Sequence, residues 1–435
     1  MSPGVETTAA GGGPALPPLT TLFMPNSAEL VAAAGSVNGT DMEMHNVVTD
    51  EKSPGLARAS RFRPVPVPFH SVADKWSSPA IAYRNSQGLR ESMEDYGVVV
   101  GNLVQVPLVF QPGDRVVPVA LGKEKGLWAL WEDGCASPRS TLTGFPSGAG
   151  AQGLRHAEVQ FHFAGVYDGH GGPEVARQVA ENLHLHVREA FGALMATSLV
   201  ACVGGTTQGD DVTRQGQGDA TGRPKDDHRW GLTLPQVSSA IGRAFRLMDG
   251  QLQESGMARD VGSTAVVALV SGSHLCVANC GDSRAVLSRG GAAYRLSRDH
   301  KPDLEDEEAR IKACGGEVLN YGGSRVMGVL AMSRALGDHC LSNFGIIAEP
   351  EVTLIEASPE DDFLVLASDG LWDVLTDNEA VSLIHKCFQR AEASDMGQQM
   401  CVSLAGRVLI KAALDRGSKD NIAVAIVDLR GNRKH

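Results

Sequence analysis

The sequence has no excess of positive charge, no paired cysteine motif and no long apolar run. Its 435 residues include 39 Lys and Arg against 51 Asp and Glu, whereas nucleic-acid-binding proteins usually carry a basic face. None of its eight cysteines forms a CxxC pair, so we expect reduced thiols in an intracellular protein. No apolar run approaches the ~20 residues that span a bilayer. The first residues lack the basic and apolar segments of a secretory signal. Neither nucleic acid nor a membrane is therefore an expected partner.

Long stretches of the chain contain little that could form a core. Residues 1–77 are rich in Gly, Pro, Ala, Ser and Thr without sustained periodicity, and such a composition buries too little apolar area to offset the entropy of ordering. We expect a disordered tail there, one folded domain over 78–431 and a short tail at 432–435. Polar, glycine-rich segments near 122–155 and 204–229 predict surface insertions.

Within the expected domain, apolar residues recur at helical spacing or in short β-branched runs. Helices are predicted after Pro173, through Val237 to Met248, from a cap at Asp303 to Gly315, from a capping box at Thr376 and Glu379, and through Val402 to Ala412. The runs STAVVALV, HLCVANC, DFLVLAS and IAVAIVDL are typical of buried strands. Several strands follow one another before a helix intervenes, which favours mainly antiparallel sheets with helices packed outside.

Seven acidic residues lie in short, turn-like motifs rather than along amphipathic faces. They are Glu94 and Asp95 in GLRESMEDY, Asp168 in VYDGHGG, Asp282 in NCGDSRA, Asp369 and Asp373 in SDGLWD, and Asp420 in SKDN. A single Asp-Gly is usually only a turn. Most of these motifs adjoin a predicted buried strand, however, and a buried carboxylate is costly unless it is paired or bound to metal. The pattern predicts one shared acidic centre whose oxygen ligands suit Mg²⁺ or Mn²⁺ better than zinc.

These motifs resemble, in order from about Ser78 to Leu429, the signature blocks of the metal-dependent type 2C Ser/Thr protein phosphatases. DHKPDLEDEEARIKACGGEV, RVMGVLAMSRALGD and RGSKDNIAVAIVDL resemble the plant clade of abscisic acid signalling. The resemblance implies an α+β fold, a four-layer α-β-β-α sandwich of two central, mainly antiparallel sheets flanked by helices. It also implies hydrolysis of phosphoserine and phosphothreonine in proteins, with water activated by two Mg²⁺ or Mn²⁺ ions.

The resemblance assigns the metal ligands residue by residue. Asp168 is implied to bridge both metals, and the carbonyl of Gly169 to ligate one of them. Asp369 and Asp420 complete the protein ligands of the second metal, and Glu94 contributes through water. A carbonyl can approach a metal closely where no side chain obstructs it, which suits glycine at position 169.

Other residues are implied to support the centre or to act on the substrate. Asp95, Asp282 and Asp373 are implied as supporting or weaker metal-site groups, the last two beside a third, loosely held cation. Arg90 matches the family's phosphate-binding arginine, which can donate two parallel hydrogen bonds. His170 matches the proposed general acid for the leaving group. Taken singly, Arg90 would be a surface cation and His170 a loop residue.

Two alternatives compete with this function. Cys401 and Arg407 have the Cys-x5-Arg spacing of cysteine-dependent phosphatases, but Met400 replaces the usual histidine. The segment also has helical periodicity, and a helix interior offers no free amides to hold phosphate, so we reject this chemistry. The second alternative is a catalytically weak protein that binds and blocks a kinase. The complete set of expected functional residues favours an enzyme.

The sequence departs from the clade at two positions of the expected partner surface. In LNYGGSRVMGVLAMSR, Tyr321 occupies the place of a tryptophan that inserts into the hormone receptor, and Met327 occupies an aromatic position. Tyrosine lacks the indole N–H, and methionine is less shape-specific, so we expect weakened receptor binding; neutral surface substitutions are the alternative. The resemblance further implies phosphoprotein substrates, among them stress-signalling kinases, and a negative regulator acting as a monomer in the nucleus or cytoplasm.

Overall fold

The computed structural model describes residues 78–110, 155–204 and 232–431, all within one compact unit. Both predicted tails lie outside the described residues, as do the predicted insertions apart from Arg155 and Gly204, so those boundaries stay predictions. Among the described helices, none has both the length and the apolarity that crossing a membrane would require.

The described residues form fourteen strands, six α-helices and a short 3-10 helix at Ser342–Phe344. The strands are β1 (Ile81–Ser86), β2 (Asp95–Phe110), β3 (Arg155–His170), β4 (Gly262–Ser263), β5 (Ala265–Val270), β6 (His274–Cys280), β7 (Arg284–Arg289), β8 (Ala292–Arg295), β9 (Val318–Asn320), β10 (Ser324–Val326), β11 (Leu336–Gly337), β12 (Glu351–Glu356), β13 (Asp361–Ala367) and β14 (Ile422–Asp428). The helices are α1 (Glu174–Gly204), α2 (Leu234–Ser255), α3 (Glu305–Ala313), α4 (Asp369–Trp372), α5 (Asp377–Ala393) and α6 (Gln398–Asp415).

Two antiparallel sheets pack face to face. One has the strand order β1-β14-β13-β7-β8, and the other has the order β11-β4-β3-β5-β6-β12, with β2 also paired to β3. A core of small and branched side chains from both sheets fills the space between them. The helices α1 and α2 cover the outer face of the second sheet, while α5 and α6 contact the first sheet. The predicted sandwich of two antiparallel sheets with flanking helices is confirmed.

The strands are continuous apolar runs because each sheet is covered on both faces. In β14, Ala423 and Ala425 lie in the core between the sheets. The alternate residues Val424 and Ile426 are also fully buried, on the face that α6 contacts. Antiparallel strands with one face in water would alternate apolar and polar residues instead.

Most predicted helix ends agree with the structure, with one exception. The capping box of Thr376 and Glu379 is present at the start of α5. The predicted cap at Asp303 is wrong, because α3 begins one residue later, with Leu304 at the capping position and no side-chain cap. The first turn of α3 carries four acidic residues, whose charges favour the positive end of the helix dipole.

A side lobe, residues 305–346, has its own small core of Ile311, Val326, Leu330 and neighbouring apolar residues. Its main polar anchor is the fully buried carboxylate of Glu307. This carboxylate accepts hydrogen bonds from Arg310 at 2.8 Å and from Arg334 Nη2 at 2.6 Å. Burial opposes ionisation, but the bonds from these arginines outweigh it and hold the pKa of Glu307 well below its usual range. The ion cluster thereby ties α3 to the segment that leads into β11.

Candidate metal and phosphate site

The acidic motifs meet at one end of the two sheets. Asp95 at the start of β2 stands opposite Asp168 near the end of β3. At the end of β13, Ala367 pairs with Val424 near the start of β14, and also with Arg284 at the start of β7. Because antiparallel pairing places the end of one strand beside the start of its neighbours, loops that are far apart in sequence converge here.

Asp95 is the most enclosed of the acidic residues at this end. Its Oδ2 accepts a hydrogen bond of 2.7 Å from the hydroxyl of Ser368, which in turn accepts from the backbone N–H of Ala423 at 3.0 Å. Burial, only partly offset by these contacts, raises the pKa of Asp95 to about 7. Asp95 therefore ties β2 to the other sheet through Ser368, a residue to which the sequence analysis gave no role.

Asp168 lies at the centre of the acidic group. Its backbone N–H donates to the hydroxyl of Thr264 at 3.1 Å, and its carbonyl accepts from the Thr264 N–H at 2.9 Å. Burial raises the pKa of Asp168 well above its usual value, and repulsion from other carboxylates adds to the increase. The repelling groups, in decreasing order of effect, are those of Asp95, Asp369, Asp282 and Asp420.

Asp369 is the first residue of the single-turn helix α4, and Asp373 directly follows its last residue. Burial, followed by the charges of Asp282 and Asp373, raises the pKa of Asp369 to about 7. Burial also raises the pKa of Asp373, although this residue is more exposed. Mutual repulsion among carboxylates from separate loops shows that they share one electrostatic environment.

Arg90 contacts this acidic group directly. Its Nη2 lies 2.5 Å from Oδ2 of Asp420, and its side chain is 58% exposed. The guanidinium thus stands at the rim, with one edge on a carboxylate and most of its surface open to solvent. An arginine in this position can donate further hydrogen bonds to a phosphate that enters from solvent.

Asn421 holds the segment that carries Arg90 and Glu94. Its side-chain oxygen accepts from the Glu94 N–H at 2.7 Å, and its amide donates to the carbonyls of Gln87 and Ser92 at 2.8 and 3.0 Å. The Glu94 side chain is half-buried and accepts from the Ser92 hydroxyl at 2.9 Å. Asn421 is a second residue that the sequence analysis missed, although it stands inside the SKDN motif.

Two glycines allow the loops to approach one another. A Cβ on Gly169 would lie 2.6 Å from the carbonyl oxygen of Glu94, and one on Gly370 would lie 1.9 Å from that of Asn421. Such contacts are shorter than real Cβ atoms tolerate, so neither glycine can be replaced without moving the backbone. Close approach explains glycine at both positions.

The chemistry of these residues fits divalent cations. Oδ2 of the buried Asp282 lies 2.5 Å from Nζ of Lys301, but its Oδ1 is buried without a hydrogen-bond partner among the described residues. An orphaned carboxylate oxygen beside mutually repelling carboxylates favours binding of a hard cation. Within the described ranges, no three His, Cys, Asp or Glu side chains already stand at metal-ligand spacing. The charge and burial of these carboxylates therefore indicate the cation site, whereas the distances between their oxygens are not yet those of a coordinated metal.

His170 follows Gly169 at the end of β3 and is bound by another acidic residue. Its Nε2 lies 2.6 Å from Oδ2 of Asp338, while its Nδ1 is buried without a partner in the described part of the chain. Asp338 stands in the SRALGD segment quoted above, but the sequence analysis assigned it no function.

Tyr321 and Met327 lie on the side lobe. Tyr321 is 68% exposed, in the turn between β9 and β10, and its ring lies close to Gly328. Met327 is partly buried against the lobe core and has a positive φ of 52°. Its backbone N–H donates to the Glu317 carbonyl at 2.7 Å. Of the two residues, Tyr321 is the one that presents a large side chain to solvent.

Cys401 and Arg407 do not form the phosphate-binding loop of a cysteine-dependent phosphatase. Cys401 and Arg407 both lie within α6, as the sequence periodicity predicted. Burial also raises the pKa of Cys401 to about 11, so its thiol stays protonated near neutral pH and is a poor nucleophile.

Comparisons with known proteins give a consistent result. Residues 139–422 match the family described as Protein phosphatase 2C. Protein phosphatase 2C 56 of Arabidopsis thaliana is 42% identical over 303 residues, covering 66% of this chain and 63% of the relative. Probable protein phosphatase 2C 8 of Oryza sativa subsp. japonica is 41% identical over 290 residues, covering 65% and 66%. The chain thus spans slightly less than two thirds of the length of each of these relatives.

Solved structures with a similar fold come from other organisms. A serine-threonine phosphatase 2C from Toxoplasma gondii superposes with a TM-score of 0.53 at 20% identity, covering 81% of this chain and 96% of that one. A sex-determining protein of C. elegans gives a TM-score of 0.53 at 21% identity, covering 83% and 69%. At this level of identity, the similarity establishes the fold.

Proposed function

The chain belongs to the protein phosphatase 2C family, and we propose that it hydrolyses phosphoserine and phosphothreonine in proteins at the site described above. One observation carries the proposal: carboxylates from five separate segments converge at one end of the sheets, where burial and then their charges raise the pKa values of Asp168 and Asp369, beside an exposed arginine at the rim. A site of this kind suits a phosphate ester whose negative charge is neutralised by cations and by the guanidinium.

The residues that would hold two Mg²⁺ or Mn²⁺ ions are Asp168, the Gly169 carbonyl, Asp369 and Asp420, with Glu94 acting through water. When bound, the two ions supply charge neutralisation and lower the pKa of water toward neutrality. The buried Asp95, opposite Asp168 on the neighbouring strand, supports the centre by tying β2 to the other sheet through Ser368.

Asp282 and Asp373 form the weaker part of the centre, beside a third, loosely held cation. The support for this role is the unpartnered Oδ1 of Asp282 and the repulsion that Asp282 exerts on Asp369. Lys301 already neutralises part of the Asp282 charge, which is consistent with weaker cation binding there.

Arg90 and His170 act on the substrate in this proposal. Arg90 donates a fork of hydrogen bonds to the phosphate oxygens while its contact with Asp420 orients the guanidinium. His170 donates a proton to the departing serine or threonine oxygen, because an alkoxide is a poor leaving group unless it is protonated.

A metal-dependence assay on a phosphothreonine peptide tests this function. Chelation should abolish hydrolysis by the full-length protein, and Mn²⁺ or Mg²⁺ should restore it. Asp168→Asn keeps the side-chain volume but removes the central charge, so it should leave little activity even at high metal concentration. Asp415→Asn, a change on an exposed helix end, is the matched control and should retain activity. Full activity in chelator or in Asp168→Asn would refute the mechanism, and inactivity with tight kinase binding would favour the kinase-blocking alternative.

We propose further that the physiological substrates are stress-signalling kinases and that the protein is a monomeric, intracellular negative regulator of abscisic acid signalling, in the nucleus or cytoplasm. The sequence blocks that resemble this clade support the proposal, together with the exposed Tyr321 on the side lobe. In this arrangement a hormone receptor would contact Tyr321, and Met327 would support the lobe beneath. Receptor binding would be weakened, because the tyrosine ring is smaller than indole and lacks its N–H.

A further inference from the structure

The two ring nitrogens of His170 have different surroundings. Nε2 is within 2.6 Å of the carboxylate of Asp338, which is almost fully buried. Nδ1 has no hydrogen-bond partner among the described residues, although it too is shielded from solvent. A buried polar atom without a partner is unusual and needs an explanation.

The backbone is shaped to place the Asp338 carboxylate against the histidine. Gly337 and Asp338 both have positive φ, at 89° and 48°, a conformation that costs a non-glycine residue free energy. The Asp338 N–H donates to the carbonyl of Val261 at 3.1 Å. On the next residue, Gly262, a Cβ would lie 2.2 Å from Oδ2 of Asp338 and 2.5 Å from Nε2 of His170. A side chain at position 262 would therefore separate the pair.

We propose that Asp338 is a positioning residue for His170. Its carboxylate accepts a hydrogen bond from the Nε2–H, fixes the tautomer and orientation of the ring, and leaves Nδ1 as the nitrogen that protonates the leaving group. The proposal rests on the proposed function, in which His170 is the general acid. A carboxylate that holds one imidazole nitrogen determines which nitrogen is available for proton transfer.

In this step one proton moves from His170 to the leaving group. His170 enters the step as an imidazolium, with protons on both nitrogens. Water adds to phosphorus while the bond between phosphorus and the serine or threonine oxygen breaks, and that oxygen keeps the electron pair. Both protons of the water stay on the phosphate that forms, which later releases one of them to solvent. The Nδ1 proton moves to this oxygen, which leaves as a neutral alcohol. His170 is then a neutral imidazole whose Nε2–H still donates to Asp338, and solvent restores the Nδ1 proton.

The kinetic test uses the full-length protein with Mn²⁺ and two substrates. A phosphothreonine peptide has a leaving group that needs a proton, whereas p-nitrophenyl phosphate has one that does not. Asp338→Asn removes the charged acceptor of the His170–Asp338 hydrogen bond. Gly262→Ala places a Cβ against both of its atoms. Asp249→Asn is the matched control. Asp249, in α2, accepts from the Gly337 N–H at 2.9 Å and pairs with His339 at 3.1 Å, so it contacts both chain neighbours of Asp338.

Loss of a group that orients a functional histidine typically costs ~10–100-fold. We expect this loss in kcat on the peptide for Asp338→Asn and Gly262→Ala, and less than about a 3-fold loss on p-nitrophenyl phosphate. Asp249→Asn should affect both substrates equally. Equal losses on both substrates in the Asp338→Asn variant, or the same selectivity in the Asp249→Asn control, would overturn the proposal.

A second measurement does not depend on activity. In the metal-free, ¹⁵N-histidine-labelled protein at a pH where the ring is neutral, NMR should show His170 protonated on Nε2 and unprotonated on Nδ1. Asp338→Asn should produce a mixture of tautomers, and Asp249→Asn should not. An Nδ1-protonated wild-type ring would overturn the proposal. Absence of hydrolysis by the wild-type protein would instead refute the proposed function, and the NMR result would still decide whether Asp338 sets the tautomer.

Discussion

Asp369→Asn should stabilise the metal-free protein and remove much of its stabilisation by metal. Burial and the charges of Asp282 and Asp373 raise the pKa of Asp369 from 3.8 to about 7. An acid whose pKa is raised in the folded state does not destabilise the fold below its unfolded-state pKa. The destabilisation grows as the pH rises from that value and is complete above the folded-state pKa. The difference corresponds to about 4 kcal/mol at ~pH 8. Asparagine keeps the shape without the charge.

Thermal unfolding in chelator and in Mn²⁺ measures this effect. Each kcal/mol of stability shifts the unfolding temperature by about 2 °C in a domain of this size. The Asp369→Asn variant should therefore unfold roughly 8 °C higher than wild type in chelator at about pH 8. The advantage should shrink as the pH falls toward ~4, because the wild-type carboxyl is then protonated. Adding Mn²⁺ should raise the transition of wild type far more than that of the variant, since only wild type keeps the full ligand charge.

Asp377→Asn is a control in which the unfolding temperature should change in the opposite direction. Burial disfavours its charge, but contacts from Arg295 and Arg284 prevail and lower the pKa of Asp377. Asp377→Asn should therefore unfold at a lower temperature, with or without metal. If Asp369→Asn proved less stable than wild type in chelator, the electrostatic description of the acidic centre would be wrong.

Three further outcomes are expected. Arg90→Ala should raise KM and lower kcat on a phosphopeptide, because it removes hydrogen bonds to phosphate, whereas Arg325→Ala on the side lobe should change neither; an unchanged KM for Arg90→Ala would contradict the assignment. Tyr321→Trp should increase hormone-dependent inhibition by a receptor without changing turnover, and near-stoichiometric inhibition of the unmodified protein would show that tyrosine is not limiting. Glu307→Gln leaves two partly buried arginines without their carboxylate and should destabilise the fold by about 3–5 kcal/mol, measured by urea unfolding. The partly exposed Glu308→Gln, in the same turn of α3, is the control and should have little effect.

The sheets and the acidic centre could be predicted because their signals are local. Residues buried on both faces of a sheet produce continuous apolar runs such as that of β14, and most of the acidic motifs adjoin one of these runs. The capping box at Thr376 and Glu379 is equally local. Asp303 is a good capping residue by type, but the capping position is occupied by its neighbour Leu304. The start of α3 follows a backbone turn, in which the Leu304 N–H donates to the Lys301 carbonyl, and not a side-chain cap.

Residues that act through tertiary contacts could not be predicted in this way. Ser368 and Asn421 stand inside the recognised motifs, but their roles depend on strands that pair across the sheets. Asp338 follows His170 by 168 positions in sequence, and only the folded chain shows that they touch. Glu307 lies in an acidic stretch that would suggest an exposed helix face, and it is buried because two arginines from different segments enclose it.

The position of β14 has a consequence for synthesis and assembly. This strand is the last in order among those described, yet it lies between β1 and β13 in its sheet, and Asp420 just before it contacts Arg90 near the start of the domain. A ribosome-bound chain from which residues 420–428 have not yet emerged would have neither the partner of β1 nor one of the expected ligands. Contacts between distant segments also slow folding. The nascent protein should therefore remain inactive until its C-terminal segment has emerged, and a chain truncated before Asp420 should be inactive rather than partly active.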